Sequence, residues 1–592
     1  MQSASARDFR AFGVDGLLDL TLSHGLDIRL QDPDRNLIGE SNGGDATSVN
    51  SDDGTLNYDK GIVSNVVETH AQLALSRRWF GLYMNGSAFY DYENARHDRK
   101  RTPLAASAKE QTSKNAELRE SYVSARFSMK GVPVQIRAGD QIINWGETTF
   151  IRDGIDVINP IDLLSVLRPA SRPELFRIPQ GMVWGVANVT ETFSIEAYYQ
   201  YEWERVDLPP VGTYFSSLDL LGGGSPNFAT LGGGRISDLG TDLDAHFALP
   251  AGTLGFDENF FKIPGTGEGK PDDGGQYGVG IVAIRPGRNA LKLGLHYIRY
   301  HSRLPVINGA TADAAAVART SSAAVNARAA TLVPAYESTG LGPAEADDAA
   351  LATAEDLTLS EYANDARYFA LYPEDIDMVG LTFSTTTRRG MLFSGEISHH
   401  FDSPFQVAVD EVLNATLSPV LFDPTIGMSP LGEFGPDEVV GGIERLGRTQ
   451  AALEVAKAFS RRLGADQLLI SSDIAWSHIH DMHGGSHPRL EGQGGVDAHS
   501  FGYRLAATLR YSGVFGGVTM IPRVVFSHDF SGTTPAPTST FLEKRKGLTI
   551  ALTANYINRL IADVSYNAFF GAGERNVIND RDYVRVRVTY SF

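Results

Sequence analysis

Tyr583-Val-Arg-Val-Arg-Val-Thr-Tyr-Ser-Phe592 alternates without a break. Val584, Val586, Val588, Tyr590 and Phe592 share one parity, and Arg585, Arg587, Thr589 and Ser591 share the other. Period two is the mark of a β-strand with one apolar and one polar face. A β-sandwich or β-helix would also alternate. It would rarely pair an unbroken apolar series with arginines on the opposite face.

Working outward from this stretch, the same pattern recurs along the chain. Leu18, Leu20, Leu22, Leu26, Ile28 and Leu30 lie on one face, with His24 the single exception. Asp19, Thr21, Ser23, Gly25, Asp27 and Arg29 lie on the other. Phe80–Tyr92, Phe193–Trp203, Phe501–Tyr511, Leu548–Tyr556 and Leu560–Tyr566 repeat the alternation, with aromatic residues towards the ends. A tilted strand crosses a bilayer in roughly 9–11 residues, and these runs are long enough. The reading is an all-β chain, a transmembrane antiparallel β-barrel of roughly sixteen to eighteen strands. A barrel of that size has a lumen that side chains cannot fill, so water or a plug must occupy it.

Composition is consistent with this and closes other routes. No apolar run reaches the length of a transmembrane helix, and mean hydropathy is -0.16. A strand that shows lipid only every second residue keeps that average near neutral. The 61 glycines, 22 tyrosines and 30 phenylalanines suit strands joined by many turns. With 0 cysteines, disulfides and thiolate metal sites are excluded. A net charge of -19 argues against nucleic acid as a partner. The start, Met1-Gln-Ser-Ala-Ser-Ala-Arg-Asp-Phe, lacks a signal-peptide core, so a mature form is expected.

The connections are unequal. Residues 33–62, 205–275, 303–373 and 407–446 are long and rich in Gly, Pro, Ala and Asp, whereas other joints are short. Long extracellular loops and short periplasmic turns are the expectation for a single barrel spanning 1–592, with 303–373 an Ala-rich loop insertion of helical propensity interrupted by Gly and Pro.

Between 139 and 178 the alternation stops, and Pro and charges of both signs crowd together. Such backbone cannot face lipid, where unpaired polar groups cost several kcal/mol. The segment is therefore expected to fold inward as a constriction. Arg137, Asp140, Gln141, Trp145, Glu147, Asn159, Asp162, Arg168 and Glu174 are its candidate lumen residues. Holding the fold together is favoured for these charges over touching a substrate.

Other constellations are weaker. Asn50, Asp52, Asp53, Asn57 and Asp59 beside Gly54 offer oxygen ligands, but a solvated turn is the simpler reading than calcium. His399-His400 and His478/His480 could chelate a metal, yet no third ligand is near in sequence. No cofactor and no metal site are expected. Nucleophile elbows, zinc-protease helices and phosphate loops are absent from the sequence, so no enzyme is expected. Ser23-His24 is a poor Ser/His pair, since His24 faces lipid by parity.

One segment carries a family likeness. Arg137-Ala-Gly-Asp-Gln-Ile-Ile-Asn-Trp-Gly-Glu-Thr-Thr-Phe-Ile151, followed by Gly154-Ile-Asp-Val-Ile-Asn-Pro-Ile-Asp162, resembles the signature of a proteobacterial outer-membrane β-barrel family of unknown function. Asp52–Gly61, Gly212–Ser217, Tyr372–Ile376, Asn579–Tyr583 and Ser23-His-Gly25 with Arg29 match it as well. The final strand, Val584, Val586, Val588, Tyr590 and Phe592, resembles the assembly signal read by the barrel-insertion machinery.

The resemblance implies partners: outer-membrane lipids, a periplasmic lipid-binding-like protein, and an inner-membrane transporter of the resistance–nodulation–division type. It implies passage of a hydrophobic or amphipathic, lipid-like small molecule across the outer membrane as part of a trans-envelope path. The alternative is a closed-lumen barrel that scaffolds or docks an envelope complex. One geometric expectation follows from closure: the last strand should pair with the first, bringing Arg585 and Arg587 near Asp19 and Asp27.

Overall fold

The computed structural model describes residues 7–151, 153–223, 228–287, 289–482, 489–492 and 495–592. Residues 1–6, on which the expectation of a mature start rests, lie outside them.

Nineteen strands share one sheet, and Arg7–Ala11 pairs only with its hairpin neighbour Val14–Leu18. The other eighteen close into a barrel. In chain order they are β1 (Val14–Arg29), β2 (Gly61–Arg77), β3 (Phe80–Asp91), β4 (Lys114–Met129), β5 (Val132–Gln141), β6 (Gln180–Thr190), β7 (Phe193–Gln200), β8 (Gln276–Arg285), β9 (Leu291–Tyr300), β10 (Ile376–Thr386), β11 (Met391–Gln406), β12 (Ile443–Arg462), β13 (Ala465–Ile479), β14 (His499–Phe515), β15 (Val518–Ser531), β16 (Lys546–Tyr556), β17 (Leu560–Phe570) and β18 (Tyr583–Ser591). Each pairs antiparallel with its neighbours in sequence, and β18 pairs with β1 from Thr21↔Ser591 to Arg29↔Tyr583. An even number of antiparallel strands lets every backbone group bond within the sheet, leaving no edge in the membrane.

The parity rows fall as the sequence predicts. Leu18, Leu20, Leu22, Leu293, Leu295, Leu381, Ile550, Leu552, Val564, Val588 and Tyr590 all point outward and are exposed. Asp19, Thr21, Ser23, Asp27, Ser565 and Thr589 point inward and are buried. His24 faces out, bonded to the outward Asn65 at 2.9 Å. Among the described residues no helix is long and apolar enough to cross a membrane; the strands do so.

One end of the barrel carries tight turns, such as 78–79, 130–131, 463–464 and 516–517. The other carries the long loops, which build a cap. A five-stranded sheet runs in the order Val439–Val440, Val306–Ala310, Arg367–Leu371, Lys262–Gly269, Phe228–Thr230. The Ala-rich insertion springs from its hairpin-like pair Val306↔Leu371 to Ala310↔Arg367 as helices Ala314–Arg319, Ser322–Ser338 and Pro343–Asp365. Gly340 separates the last two, whereas Pro334 sits inside a continuous helix, contrary to the expectation that each such residue interrupts. Val325, Leu332, Tyr336, Ala350 and Leu357 bury their shared face against Ile236, Leu243, Leu249 and Phe260.

Candidate functional site: the lumenal constriction and its vestibule

Strand β5 runs on to Gln141 and β6 begins at Gln180. The chain between them turns into the lumen, crosses to the wall of β7–β13, and returns to β18, β1 and β2. Asn159 ties the start and end of this excursion together. Its Oδ1 accepts from Ile143 N at 2.9 Å, and its Nδ2 donates to the carbonyls of Gln141 and Ile178 at 3.1 and 3.0 Å.

On the far wall, carboxylates receive the loop's donors. Trp145 Nε1 donates to Glu196 Oε2 at 2.9 Å, and its ring stacks on His296 with centroids 5.1 Å apart. Gly278 and Gly280 make room for that ring, since a Cβ on Gly278 would stand 3.0 Å from it. Glu396 accepts from the backbone N–H groups of Glu147 at 2.9 Å and Ile155 at 3.3 Å. Asp473 accepts from those of Thr149 and Phe150 at 3.2 and 2.7 Å, and Glu454 from the Thr149 hydroxyl at 2.8 Å. A Cβ on Gly154 would crowd the Glu396 carboxylate and oblige it to move from the loop's N–H groups.

On the near wall the polarity reverses. Arg585 donates to the Leu167 carbonyl at 2.5 Å and Arg587 to that of Ser171 at 2.9 Å. Arg172 donates to Thr21 at 2.7 Å, and Arg168 pairs with Glu68 at 3.1 Å while lying 3.6 Å over the Phe89 ring. The approach is close: a Cβ on Gly25 would meet the Pro169 carbonyl carbon at 2.5 Å. Acids thus hold the loop's N–H groups on one side and arginines hold its carbonyls on the other. A segment without regular structure satisfies its backbone in this way.

The expected site residues divide accordingly. Trp145, Glu147, Asn159, Asp162 and Arg168 belong to the docked loop, with Glu147 paired to Lys292 of β9 at 2.6 Å. Asp162 caps the short helix Leu163–Leu167 through Ser165 N at 2.8 Å and pairs with Arg119 at 2.7 Å. Gln141 is fully buried and bonds Met182 O at 2.9 Å. Glu174 pairs with Arg172 at 3.2 Å. Arg137 faces the lumen but lies over the Trp184 and Tyr122 rings, at 4.7 and 5.2 Å, rather than tying down the loop. Asp140 does not line the lumen. Because β5 continues through it, it takes the outward parity of Ile136 and bonds Ser121 at 2.9 Å. Glu196, Glu396, Glu454 and Asp473 were not anticipated, since their partners, backbone N–H groups for Glu396 and Asp473, the Trp145 indole for Glu196 and the Thr149 hydroxyl for Glu454, come from a loop whose path leaves no trace in sequence.

The loop's far tip meets a second loop. Ile151 packs with Phe541, Ala452 and Ala475, and Thr540 bonds Asp153 at 3.2 Å. The ring of Phe541 fills the space over Gly502, where a Cβ would meet it at 2.5 Å. Beyond Phe541 lies a cavity of about 1440 Å³ between the cap and the loops 532–545 and 571–582. Leu37, Leu218, Phe261, Leu413, Leu417, Leu542, Val577 and Ile578 line it, together with Arg545 and Arg575. The loop's docking bonds to the far and near walls run to β7–β13 and to β18, β1 and β2, and the wall of β14–β17 lies apart from them. There Arg523 shares inward parity with Val525 and Ser527, is exposed, and forms no ion pair among the described residues.

The acidic loop at 50–59 is not a solvated turn. Asp52, Asp53 and Asp238 lie within 4.8 Å of one another and are buried. The Arg101 guanidinium lies among them, 2.7 Å from Asp53 and paired with Asp238. Burial pushes the Asp52 carboxyl up to about 6. Asn50, Asn57 and Asp59 instead bond Thr230, Gly212 and Lys100, at 2.8, 2.9 and 2.6 Å.

A closed barrel with an apolar outer belt, a polar interior and an inward-folded loop defines a membrane-spanning β-barrel of the bacterial outer membrane. The chain belongs to the family described as "Protein of unknown function (DUF1302)", which it matches over residues 1–592. No curated protein matches it. Among solved structures it is similar to Acinetobacter baumannii OccAB3, at 9% identity and TM-score 0.40 over 98% of this chain and 99% of that one. It is similar also to A. baumannii OccAB1, at 7% identity and TM-score 0.41 over 100% and 98%. Pseudomonas aeruginosa OccK11 (OpdR) aligns at 8% identity and TM-score 0.37 over 98% and 96%.

Proposed function

We propose that this protein is an outer-membrane channel for amphipathic, lipid-like small molecules, working as the outer-membrane part of a trans-envelope path with periplasmic and inner-membrane partners. The observation that supports the reading is the cavity of about 1440 Å³ held between the cap and the constriction, whose wall sets apolar side chains such as Leu218, Phe261, Leu413, Leu417, Val577 and Ile578 among polar and charged ones, as an amphipathic solute would require. Apolar surface binds solutes at roughly 25 cal/mol per Å² buried, and the charges on the lining, Arg545 and Arg575 against Asp45, Asp410, Glu411, Glu491 and Glu574, offer partners to a polar head. Phe541 lines this cavity and packs against Ile151 of the constriction, an apolar contact that an apolar chain can displace.

The test is solute flux through purified protein in liposomes, comparing fatty-acid-like probes with sugars of equal size. Saturable passage of the amphipathic probes, competed by one another, supports the proposal. Flux that tracks size alone would make the barrel a general pore. No conductance with the loop either present or shortened would favour the scaffold reading.

A further inference from the structure

We propose that the outer wall of the barrel carries a transition-metal site formed by His399, His478 and His480. The inference is independent of the transport reading. Two short motifs far apart in sequence, His399-His400 and His478/His480, are brought together by strand register. His399 of β11 stands opposite Thr449 of β12, Thr449 opposite His478 of β13, and His478 opposite His499 of β14. All four lie in one outward row at the long-loop end of the barrel, because His399 shares the parity of the exposed Ile397 and Phe401. His480, two residues beyond His478, comes to the same face just past the end of β13. His400 has the opposite parity, is buried, and takes no part.

The rings are close. Centroids are 4.4 Å apart for His478 and His480, and 5.2 Å for His399 and His480. Two imidazoles sharing a tetrahedral ion, with metal–nitrogen distances of 2.0–2.1 Å, place their centroids about 5 Å apart. Each ring also has one nitrogen already held. His399 Nδ1 and His480 Nε2 both meet the Thr449 hydroxyl, at 2.9 and 2.7 Å. His478 Nδ1 meets the Ala498 carbonyl at 3.1 Å, which fixes it as the N–H donor. A hydroxyl has two lone pairs and can accept from both of its neighbours. Lone pairs then remain on His399 Nε2, His478 Nε2 and His480 Nδ1. An orienting bond on the second nitrogen is what metal-binding histidines characteristically have.

His499 is a positioning residue. It stacks on His478 at 4.2 Å while its Nδ1 accepts from Trp476 at 3.2 Å. The side chains of the three proposed ligands are only half-buried, which leaves their rings room to turn; as they stand the three nitrogens are not all within 4.8 Å of one another, so binding requires a change of side-chain rotamer. Three imidazoles and an open position for water or an anion suit Zn²⁺, Cu²⁺ or Ni²⁺, and not Ca²⁺ or Mg²⁺.

The test uses the full-length protein in detergent, stripped with chelator, titrated with Zn²⁺ by calorimetry and with Cu²⁺ by electron paramagnetic resonance. One ion per chain with nitrogen hyperfine coupling is expected. The H478A/H480A double variant should lose it. Thr449→Val, which removes the orienting hydroxyl, should weaken it by about 10–100-fold, and H399A, which removes a ligand, by more. His24→Ala, on the same outer surface far from the row, should change nothing. Absence of stoichiometric binding to the natural sequence overturns the proposal. So does binding that survives H478A/H480A, including binding abolished only by H483A/H487A.

Discussion

Asp27 and Arg585 are cross-strand partners at the seam of the barrel, joined by two N–H···O bonds of 2.8 Å each. The carboxylate is wholly buried and the guanidinium nearly so. Parallel bidentate geometry on adjacent strands fixes register as well as attraction, since a slip of one residue would turn one of the two groups to lipid and leave the other unpaired inside.

Removing one partner strands the other charge inside the wall. Asp27→Ala and Arg585→Ala should each cost about 3–5 kcal/mol in urea unfolding of the folded barrel. The double variant should cost markedly less than their sum. Additive losses in that cycle would mean that the pair is not coupled.

Glu396 holds two backbone N–H groups of the constriction. Glu396→Ala leaves both donors without a partner, at about 1–3 kcal/mol each, and should loosen the loop while the barrel still assembles. Single-channel records should then show larger open-state noise than the natural protein. Unchanged traces would remove Glu396 from the docking scheme.

Phe541 lines the vestibule and packs against Ile151 of the constriction. Phe541→Ala opens that contact, and conductance in planar bilayers should rise, with Ile151→Ala giving a smaller rise in the same direction. The probe with the longest apolar chain should gain least, because it already displaces the ring.

The cap should respond to pH through Asp52, whose carboxyl is raised to about 6 by burial. Raised above its unfolded value, this group stabilises the fold fully below about pH 4. The contribution is lost as pH climbs through about 6, a difference of about 3 kcal/mol at most. Proteolysis of the long loops should therefore be slower at pH 5 than at pH 7.5. Asp52→Asn should flatten that difference; a variant that keeps the full dependence assigns it elsewhere.

How much of this was readable depends on which physics left a linear trace. Period two is linear, so the outward row Val584–Phe592 and the inward Arg585 could be read, and closure then paired Arg585 with Asp27. Arg587 was expected near Asp19, but it turns instead to the Ser171 carbonyl of a loop whose path no periodicity encodes. Asp140 reads as a lumen residue if the alternation stops after Ala138, whereas the strand runs three residues further, to Gln141. Glu196, Glu396, Glu454 and Asp473 read as ordinary polar alternates, and only the fold reveals the donors they serve. The meeting of His399 with His480 required the register of three strands at once.

The top of the seam has a consequence for the timing of assembly. Arg29 pairs with Asp580 at 2.6 Å with both groups buried, and Arg581 reaches the Tyr214 carbonyl and the Thr55 hydroxyl. This latch draws on loops belonging to the first, seventh and last strands, so no intermediate lacking the closing strand can form it. The latch can form only once the loops carrying Thr55, Tyr214 and Arg581 are all in place beside the closed seam. Its last contacts therefore act as a one-way catch, raising the barrier to reopening rather than hastening closure.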